Sequence, residues 1–113
     1  MFIGTLDPPQ EVMQLHAELC AALSDPHRIM IIYALAEQNY TVSDLAARLN
    51  YSQPSTSRHL KILRDRGLVR ATRMGSSVEY SLTDPRLLEA LNLLWNVLKD
   101  SIGYRVSLIE SKE

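Results

Sequence analysis

Side chains able to read DNA bases cluster in one short stretch of this chain, which the residue spacing predicts to be the start of a helix. Amide, hydroxyl and guanidinium groups hydrogen-bond to base edges in the major groove, whereas lysines and helix N-termini hold phosphate. The stretch therefore predicts a DNA-contacting surface made of Gln53, Ser55, Ser57, Arg58, His59 and Lys61.

Two arginines follow in a segment whose apolar and polar residues alternate, as in a β-strand. Arg73 stands beside the turn of a predicted hairpin, where its side chain could reach phosphate or a minor groove. Arg70 lies nearer the base of the predicted sheet. Both arginines belong to the predicted DNA-binding set.

The charges are segregated along the sequence. The formal net charge is −1 at pH 7, which by itself argues against binding to nucleic acid. The basic segment, defined as residues 48–73, holds seven basic residues and one acid and carries +6, whereas the rest of the chain carries −7. Because phosphate contact needs clustered charge rather than net charge, this distribution favours one polyanion-binding face on an acidic protein.

Helical periodicity and capping residues predict four helices ahead of the alternating segment. Asp25 and Pro26 start the second helix, Ser52 caps the fourth, and Gly67 ends it. A short helix, a turn of about three residues and a second capped helix form a helix-turn-helix. The four predicted helices span residues 11–23, 26–37, 41–49 and 53–66.

The rest of the sequence predicts a β-hairpin and one long helix. Strands at Leu68–Arg73 and Val78–Leu82 flank a turn that contains Gly75. Asp84 and Pro85 then start a last helix over about residues 85–110. The expected fold is mainly α with a small β-hairpin, a winged helix-turn-helix in which residues 1–113 form one domain.

The last helix is long for so small a protein. Much of its apolar stripe would be left exposed on a single chain. A partner chain is the simplest way to cover that stripe.

Several segments, in matching order and spacing over nearly the whole chain, resemble the ArsR/SmtB family of bacterial winged-helix repressors. The resemblance implies a homodimer that binds double-stranded DNA at an inverted-repeat operator, commonly that of its own operon, and releases it when an inducer binds. The segments are Ala22–Arg28, Thr41–Ala46, Ser52–Arg64, Gly67–Val69 and Gly75–Tyr80.

The resemblance also implies that the dimer is joined through the first and last helices, at about residues 10–23 and 85–110. Both helices carry apolar side chains at helical spacing. The implied interface residues are Leu15, Leu19, Leu87, Leu91, Leu94, Trp95, Leu98 and Ile102.

The usual metal-binding residues of the family are missing. Members that sense soft metals have two cysteines at the start of the third helix, where this chain has Thr41 and Ser43. A second family site on the last helix uses an acid and histidines, and those positions read Asp84, Arg86, Val97 and Asp100. Without thiolate or imidazole ligands, we expect no zinc, nickel or cadmium at these two places, and no cofactor.

Three residues with metal-ligating or redox chemistry stand apart from these positions. His16 and Cys20 are four residues apart on one face of the first helix, so they could supply two ligands of a metal or thiol sensor. Packing in the core or in the dimer is the favoured interpretation, because free cysteine is among the most buried residue types. His27 opens the second helix, where positive charge is unfavourable, and is expected to be a neutral surface or packing residue.

Other classes of function find little support in the sequence. One cysteine excludes an intrachain disulfide, and no apolar run approaches a membrane span, so we expect a cytoplasmic protein without membrane contact. No catalytic constellation or phosphate-binding loop is evident, which argues against an enzyme. A winged-helix module for protein–protein interaction is the alternative, and a small-molecule effector between the first and last helices stays open.

Overall fold

The structure, a computed structural model, describes the backbone of residues 9–111 and the side chains of residues 9–103. The chain divides into two compact units, one ending at Thr83 and the other beginning at Asp84. The second unit is one long helix, whose backbone contacts are mostly with its own turns. That residues 1–113 fold as a single domain stays a prediction.

Five helices and a hairpin confirm the predicted fold class, and the helix bounds agree with the predicted ones to within two residues. The first unit contains four helices, and the second contains one. The elements are α1 Gln10–Ala22, α2 Pro26–Glu37, β1 Tyr40–Thr41, α3 Val42–Leu49, α4 Gln53–Asp65, β2 Val69–Met74, β3 Ser77–Leu82 and α5 Arg86–Ser111.

The sheet has three strands, where the sequence pattern indicates only two. β3 lies in the centre, with β2 on one side and the short β1 on the other, and both pairings are antiparallel. Tyr40 pairs with Tyr80 in the added strand and is buried. The sequence pattern gives no sign of this third strand, because a strand of two residues is too short to show an alternating pattern.

Side-chain caps set the starts of three helices. Asp25 accepts a hydrogen bond from the backbone N–H of His27 at 2.7 Å, and Pro26 occupies the first turn of α2. Thr41 caps α3 and Ser52 caps α4 in the same way, at 3.2 Å in each case. These bonds satisfy backbone N–H groups that have no partner within a helix.

Two glycines with positive φ angles allow the chain to change direction, one after α4 and one between the strands of the hairpin. Gly67, with φ of 74°, follows α4, and its backbone N–H donates to the carbonyl of Arg64 at 2.9 Å. Gly75, with φ of 66°, forms the two-residue turn of the hairpin together with Ser76. A residue with a Cβ atom is strained at such angles, which explains glycine at both positions.

The core of the first unit holds α4 in place. Thr56, Leu60 and Leu63 are fully buried, as their helical spacing predicts. The hydroxyl of Thr56 donates to the backbone carbonyl of Ser52 at 2.8 Å, so its burial leaves no unsatisfied polar group. The other fully buried large side chains are Ile31, Ile32, Leu45 and Val69, from α2, α3 and β2.

Within the described residues, no single helix has both the length and the apolar character needed to cross a membrane. The helices α1 and α2 have the necessary length and apolar character only when taken together, and the chain bends by 89° at the break between them. The apolar side chains of α2 that contribute to this result, Ile31, Ile32 and Leu35, are buried in the core.

Candidate nucleic-acid interface

Helices α3 and α4 form the helix-turn-helix predicted from the sequence. Asn50 ends α3 in the left-handed conformation, with φ of 59°, and its backbone N–H donates to the carbonyl of Ala46 or Ala47. The backbone N–H of Tyr51 donates to the carbonyl of Ala46 at 2.9 Å, which closes the turn. Asparagine tolerates this conformation better than other residues with a Cβ atom, so the tight reversal into α4 is built from local bonds.

The exposed side of α4, defined as Gln53, Ser57, Arg58 and Lys61, is opposite or flanking its buried stripe. The structure brings these four predicted residues together on one accessible surface. Beside them, Val42, Gln53, Pro54 and Ser57 line an open depression between the starts of α3 and α4. Ser55 is only half-exposed, and its backbone N–H is used by the cap.

His59 turns towards α2 rather than outwards. Its Nδ1 lies 3.3 Å from Nη1 of Arg28, and its ring stacks on the ring of His27 with centroids 5.4 Å apart. Partial burial lowers the pKa of His59, opposed by the negative charge of Asp25 and reinforced by the positive charge of Arg28. A neutral His59 can accept a hydrogen bond from Arg28, which gives it a partner that the sequence pattern does not reveal.

Arg28 joins three parts of the first unit. Its Nε donates to the carbonyl of Ala22 at 2.6 Å, and Nη2 donates to the carbonyl of Ala21 at 3.4 Å. These carbonyls lie at the C-terminal end of α1, where backbone acceptors lack partners within the helix. Together with the contact to His59, Arg28 connects the end of α1, the start of α2 and the middle of α4.

The basic segment divides into paired and unpaired cations. Lys61 Nζ lies 2.9 Å from Asp65 Oδ2, and this hydrogen bond lowers the pKa of Asp65. Arg66 pairs with Glu18 at 3.4 Å and Arg48 with Glu37 at 3.8 Å. Four arginines of the segment have no carboxylate within 4 Å among the residues that the structure describes, so their charge is available to phosphate: Arg58, Arg64, Arg70 and Arg73.

The hairpin of β2 and β3 is the wing of this fold. Both arginines predicted there are exposed, but they point to opposite faces of the hairpin. Arg73 pairs with Val78, two positions from the turn residues, and Arg70 pairs with Ser81 near the base. Three positions separate them on β2, and side chains alternate between faces along a strand. Arg70 Nη2 also lies 3.4 Å from the carbonyl of Thr83, so Arg73 is the arginine better placed to reach beyond the tip.

The predicted dimer residues differ in exposure. In α1, Leu15 is 64% exposed and Leu19 is half-buried. In α5, four of the predicted side chains are exposed, Leu87 is half-buried, and Leu91 is only 6% exposed without any partner chain. The four exposed members are Leu94, Trp95, Leu98 and Ile102, and Leu93 and Val97 add exposed apolar area that the prediction omitted.

Four of the six side chains at the family's metal positions have partners within the chain. Thr41 Oγ1 accepts the backbone N–H of Asp44 and lies 3.3 Å from the hydroxyl of Ser43. Asp84 is bound by the guanidinium of Arg86 at 2.6 Å, which lowers the pKa of Asp84 to about 2. These groups act as helix caps and as a local ion pair.

Cys20 does not pack in the core of the single chain, so of the two expected environments only the dimer is left. Both Cys20 and His16 are exposed on α1 in the single chain. The residue of this helix that the chain does bury is Ala22. Packing of the pair in a dimer stays a prediction. No third metal-ligating group accompanies them among the described side chains.

Known proteins share both the sequence and the fold. The model of the family described as "Bacterial regulatory protein, arsR family" matches residues 25–71. A transcriptional repressor SmtB homologue of Synechocystis is 37% identical over 99 residues, covering 88% of this chain and 72% of the relative. The repressor SmtB of Mycobacterium tuberculosis is 41% identical over 80 residues, covering 71% of this chain but only 59% of that protein.

A solved structure from Mycobacterium bovis, described as a homodimeric winged helix-turn-helix DNA-binding domain, superposes with a TM-score of 0.77. It covers 89% of this chain and 94% of that one at 23% identity, a level that shows the shared fold alone. The sequence relatives identify the family, which the shared fold alone does not. On their evidence, this chain belongs to the arsR family of bacterial regulatory proteins.

Proposed function

We propose that this protein is a homodimeric, DNA-binding transcriptional repressor that inserts α4 into the major groove of an inverted-repeat operator. The observation that carries the proposal is the exposed side of α4, which is rigidly backed by a buried stripe and flanked by cations without carboxylate partners. Gln53 and Arg58 carry the amide and guanidinium groups that read base edges. Ser57 and Lys61 complete the surface with contacts to bases or phosphate.

The wing adds a second point of contact. Arg73 near the hairpin tip is proposed to hold phosphate or to enter the adjacent minor groove. Arg70, on the other face, is proposed to contact the backbone nearer the base of the sheet. His59 is proposed to support α4 from behind, because its ring faces α2.

Exposed apolar side chains on α1 and α5 support the dimer. Exposed apolar side chains on a helix mark interaction sites, and an inverted repeat calls for two symmetrically placed reading helices. Two half-sites one helical turn apart, about 34–36 Å, would place both copies of α4 on one side of the duplex. The homodimer described for the M. bovis structure and the repressor names of the sequence relatives support this reading.

A binding titration with labelled DNA tests the proposal. The duplex comes from the region upstream of the protein's own gene, and a scrambled duplex serves as reference. Arg58→Ala and Arg73→Ala are each expected to weaken specific binding by about 1–3 kcal/mol or to reduce its salt dependence. Arg86→Ala, an exposed arginine of α5 already paired with Asp84, is the matched control and should bind like the parent.

Specific binding that is as tight in both variants as in the parent, or no binding by the parent at low salt, would show that α4 and the wing do not read DNA. Equal affinity of the parent for both duplexes, combined with stable complexes with other proteins, would favour the protein-interaction alternative.

A further inference from the structure

Three metal-ligating side chains meet behind α4, away from its exposed side. Asp25 and His27 flank Pro26 at the start of α2, and His59 approaches them from α4. One ligand atom of each residue lies within 4.8 Å of those of the other two. Among the described side chains, this is the one group of at least three such residues that comes so close together.

Contacts within the group hold the rings in place. The ring of His27 lies nearly parallel to that of His59, with 13° between the planes, and meets the edge of Tyr51 at a centroid distance of 4.7 Å. Asp25 Oδ1 accepts the backbone N–H of His27 and lies 3.2 Å from its Nδ1. The group is therefore partly organised before any ligand arrives, which reduces the entropy that binding must overcome.

The donor set selects a chemical class. Two imidazole nitrogens and one carboxylate oxygen suit borderline divalent ions such as zinc, cobalt and nickel, whereas magnesium and calcium prefer oxygen ligands alone. Bonds of about 2.0–2.2 Å require the ligand atoms to move closer together than in the free chain. His27 is exposed and Asp25 half-buried, so rotation of these side chains can close the site without disturbing the core.

We propose that Asp25, His27 and His59 bind one divalent transition-metal ion, which ties α4 to the N-terminus of α2. Water completes the coordination on the exposed side. The site uses neither the start of α3 nor the positions on α5 where the sequence lacks the family's ligands.

The ion competes with Arg28 for His59. A neutral imidazole that binds a metal through one nitrogen carries its proton on the other. Neither nitrogen is then left to accept the hydrogen bond that Arg28 Nη1 offers at 3.3 Å. Ion binding therefore exchanges a hydrogen bond between α2 and α4 for a metal link between the same two helices.

Titration of the tag-free protein with cobalt(II), followed through the d–d absorption of the bound ion, tests the proposal without DNA. The parent is expected to bind one ion per chain. His27→Gln and His59→Gln should each lower the affinity for cobalt by at least about tenfold. Substitution of residues that only support metal ligands already causes a loss of this size. His16→Gln removes a histidine of equal type from the exposed side of α1 and should leave the affinity unchanged.

Circular dichroism of each variant shows whether it is folded, and His27 is the more informative position because its side chain is exposed. Absence of saturable cobalt binding by the parent overturns the proposal, as does unchanged affinity in folded His27→Gln. Loss of binding in His16→Gln alone also overturns it, because the ion would then sit at His16 and Cys20. Since none of these readings involves DNA, they are independent of the proposed repressor function.

Discussion

Helices α1 and α4 have the same length of 13 residues but are stabilised in different ways. Helix α4 begins with a side-chain cap at Ser52 and buries three side chains of its central turns. Helix α1 has no side-chain cap and buries only Ala22 at its end, while Leu15 faces solvent. The difference shows that α4 is specified by its own chain, whereas the apolar side of α1 is available to a second copy.

The largest expected effect comes from the buried stripe of α4. Leu60→Ala should lower the free energy of unfolding by about 2–5 kcal/mol, because it removes a fully buried side chain and leaves a cavity. Urea unfolding followed by circular dichroism measures the change. Ile62→Ala, on the exposed part of the same helix, should lower the free energy of unfolding much less. Equal losses in both variants would mean that the buried stripe does not stabilise α4 more than its exposed part does.

A charge on α1 should act on assembly. Leu15→Asp removes an apolar side chain whose burial by a partner is worth about 1.5–3 kcal/mol, so the dimer should weaken by at least about tenfold. Sedimentation equilibrium measures the dissociation constant. Ala17→Asp places the same charge on the opposite side of α1 and serves as the control. If the Ala17→Asp dimer dissociates and the Leu15→Asp dimer does not, the interface lies on the other side of α1.

The cap of α4 offers a smaller effect. Ser52→Ala should destabilise the protein by about 1 kcal/mol, because the backbone N–H of Ser55 loses its acceptor. It should also weaken DNA binding, since Gln53 stands in the turn that would fray. Thermal unfolding measures the first effect, and Ser57→Ala, which removes an exposed hydroxyl without capping, should leave the melting temperature nearly unchanged.

The smallest effect concerns acid stability. The pKa of Asp65 is lowered below 3.8 by its hydrogen bond to Lys61, so the folded chain favours the ionised carboxylate. This contribution is present above pH 3.8 and is lost as the pH falls through the lowered pKa. In Asp65→Asn, the free energy of unfolding should fall slightly less steeply than in the parent as the pH drops below 3.8. Urea unfolding at a series of pH values measures this. A decline as steep as the parent's would mean that the exposed pair contributes nothing.

Local signals in the sequence predicted most of the fold. Asp25 before Pro26, Ser52 at a cap, and Gly67 and Gly75 at reversals each act within a few residues, so their effects are visible without a structure. The strand β1 was missed because Tyr40 acquires its role from pairing with Tyr80, a residue distant in sequence. The exposed side of α4 was predictable because the spacing of its buried stripe defines the opposite face.

What escaped the sequence depends on contacts between elements. His59 lies on the flank of α4, and its contact with Arg28 depends on the position of α2, which the sequence does not reveal. The sequence could not distinguish packing of Cys20 in the core from packing in a dimer, because the apolar stripe of α1 resembles that of a core helix although its own chain does not cover it. The group of Asp25, His27 and His59 likewise has no spacing motif, since α2 and α4 must pack before it exists.

The bonds of Arg28 have a thermodynamic consequence. One guanidinium holds the carbonyl of Ala22 at the end of α1 and faces the imidazole of His59 in α4. A shift of α1 on docking a partner and a shift of α4 on docking DNA therefore act on the same hydrogen bonds. The coupling free energy between two binding events is reciprocal. By whatever factor dimer formation strengthens binding to DNA, bound DNA must strengthen the dimer by the same factor.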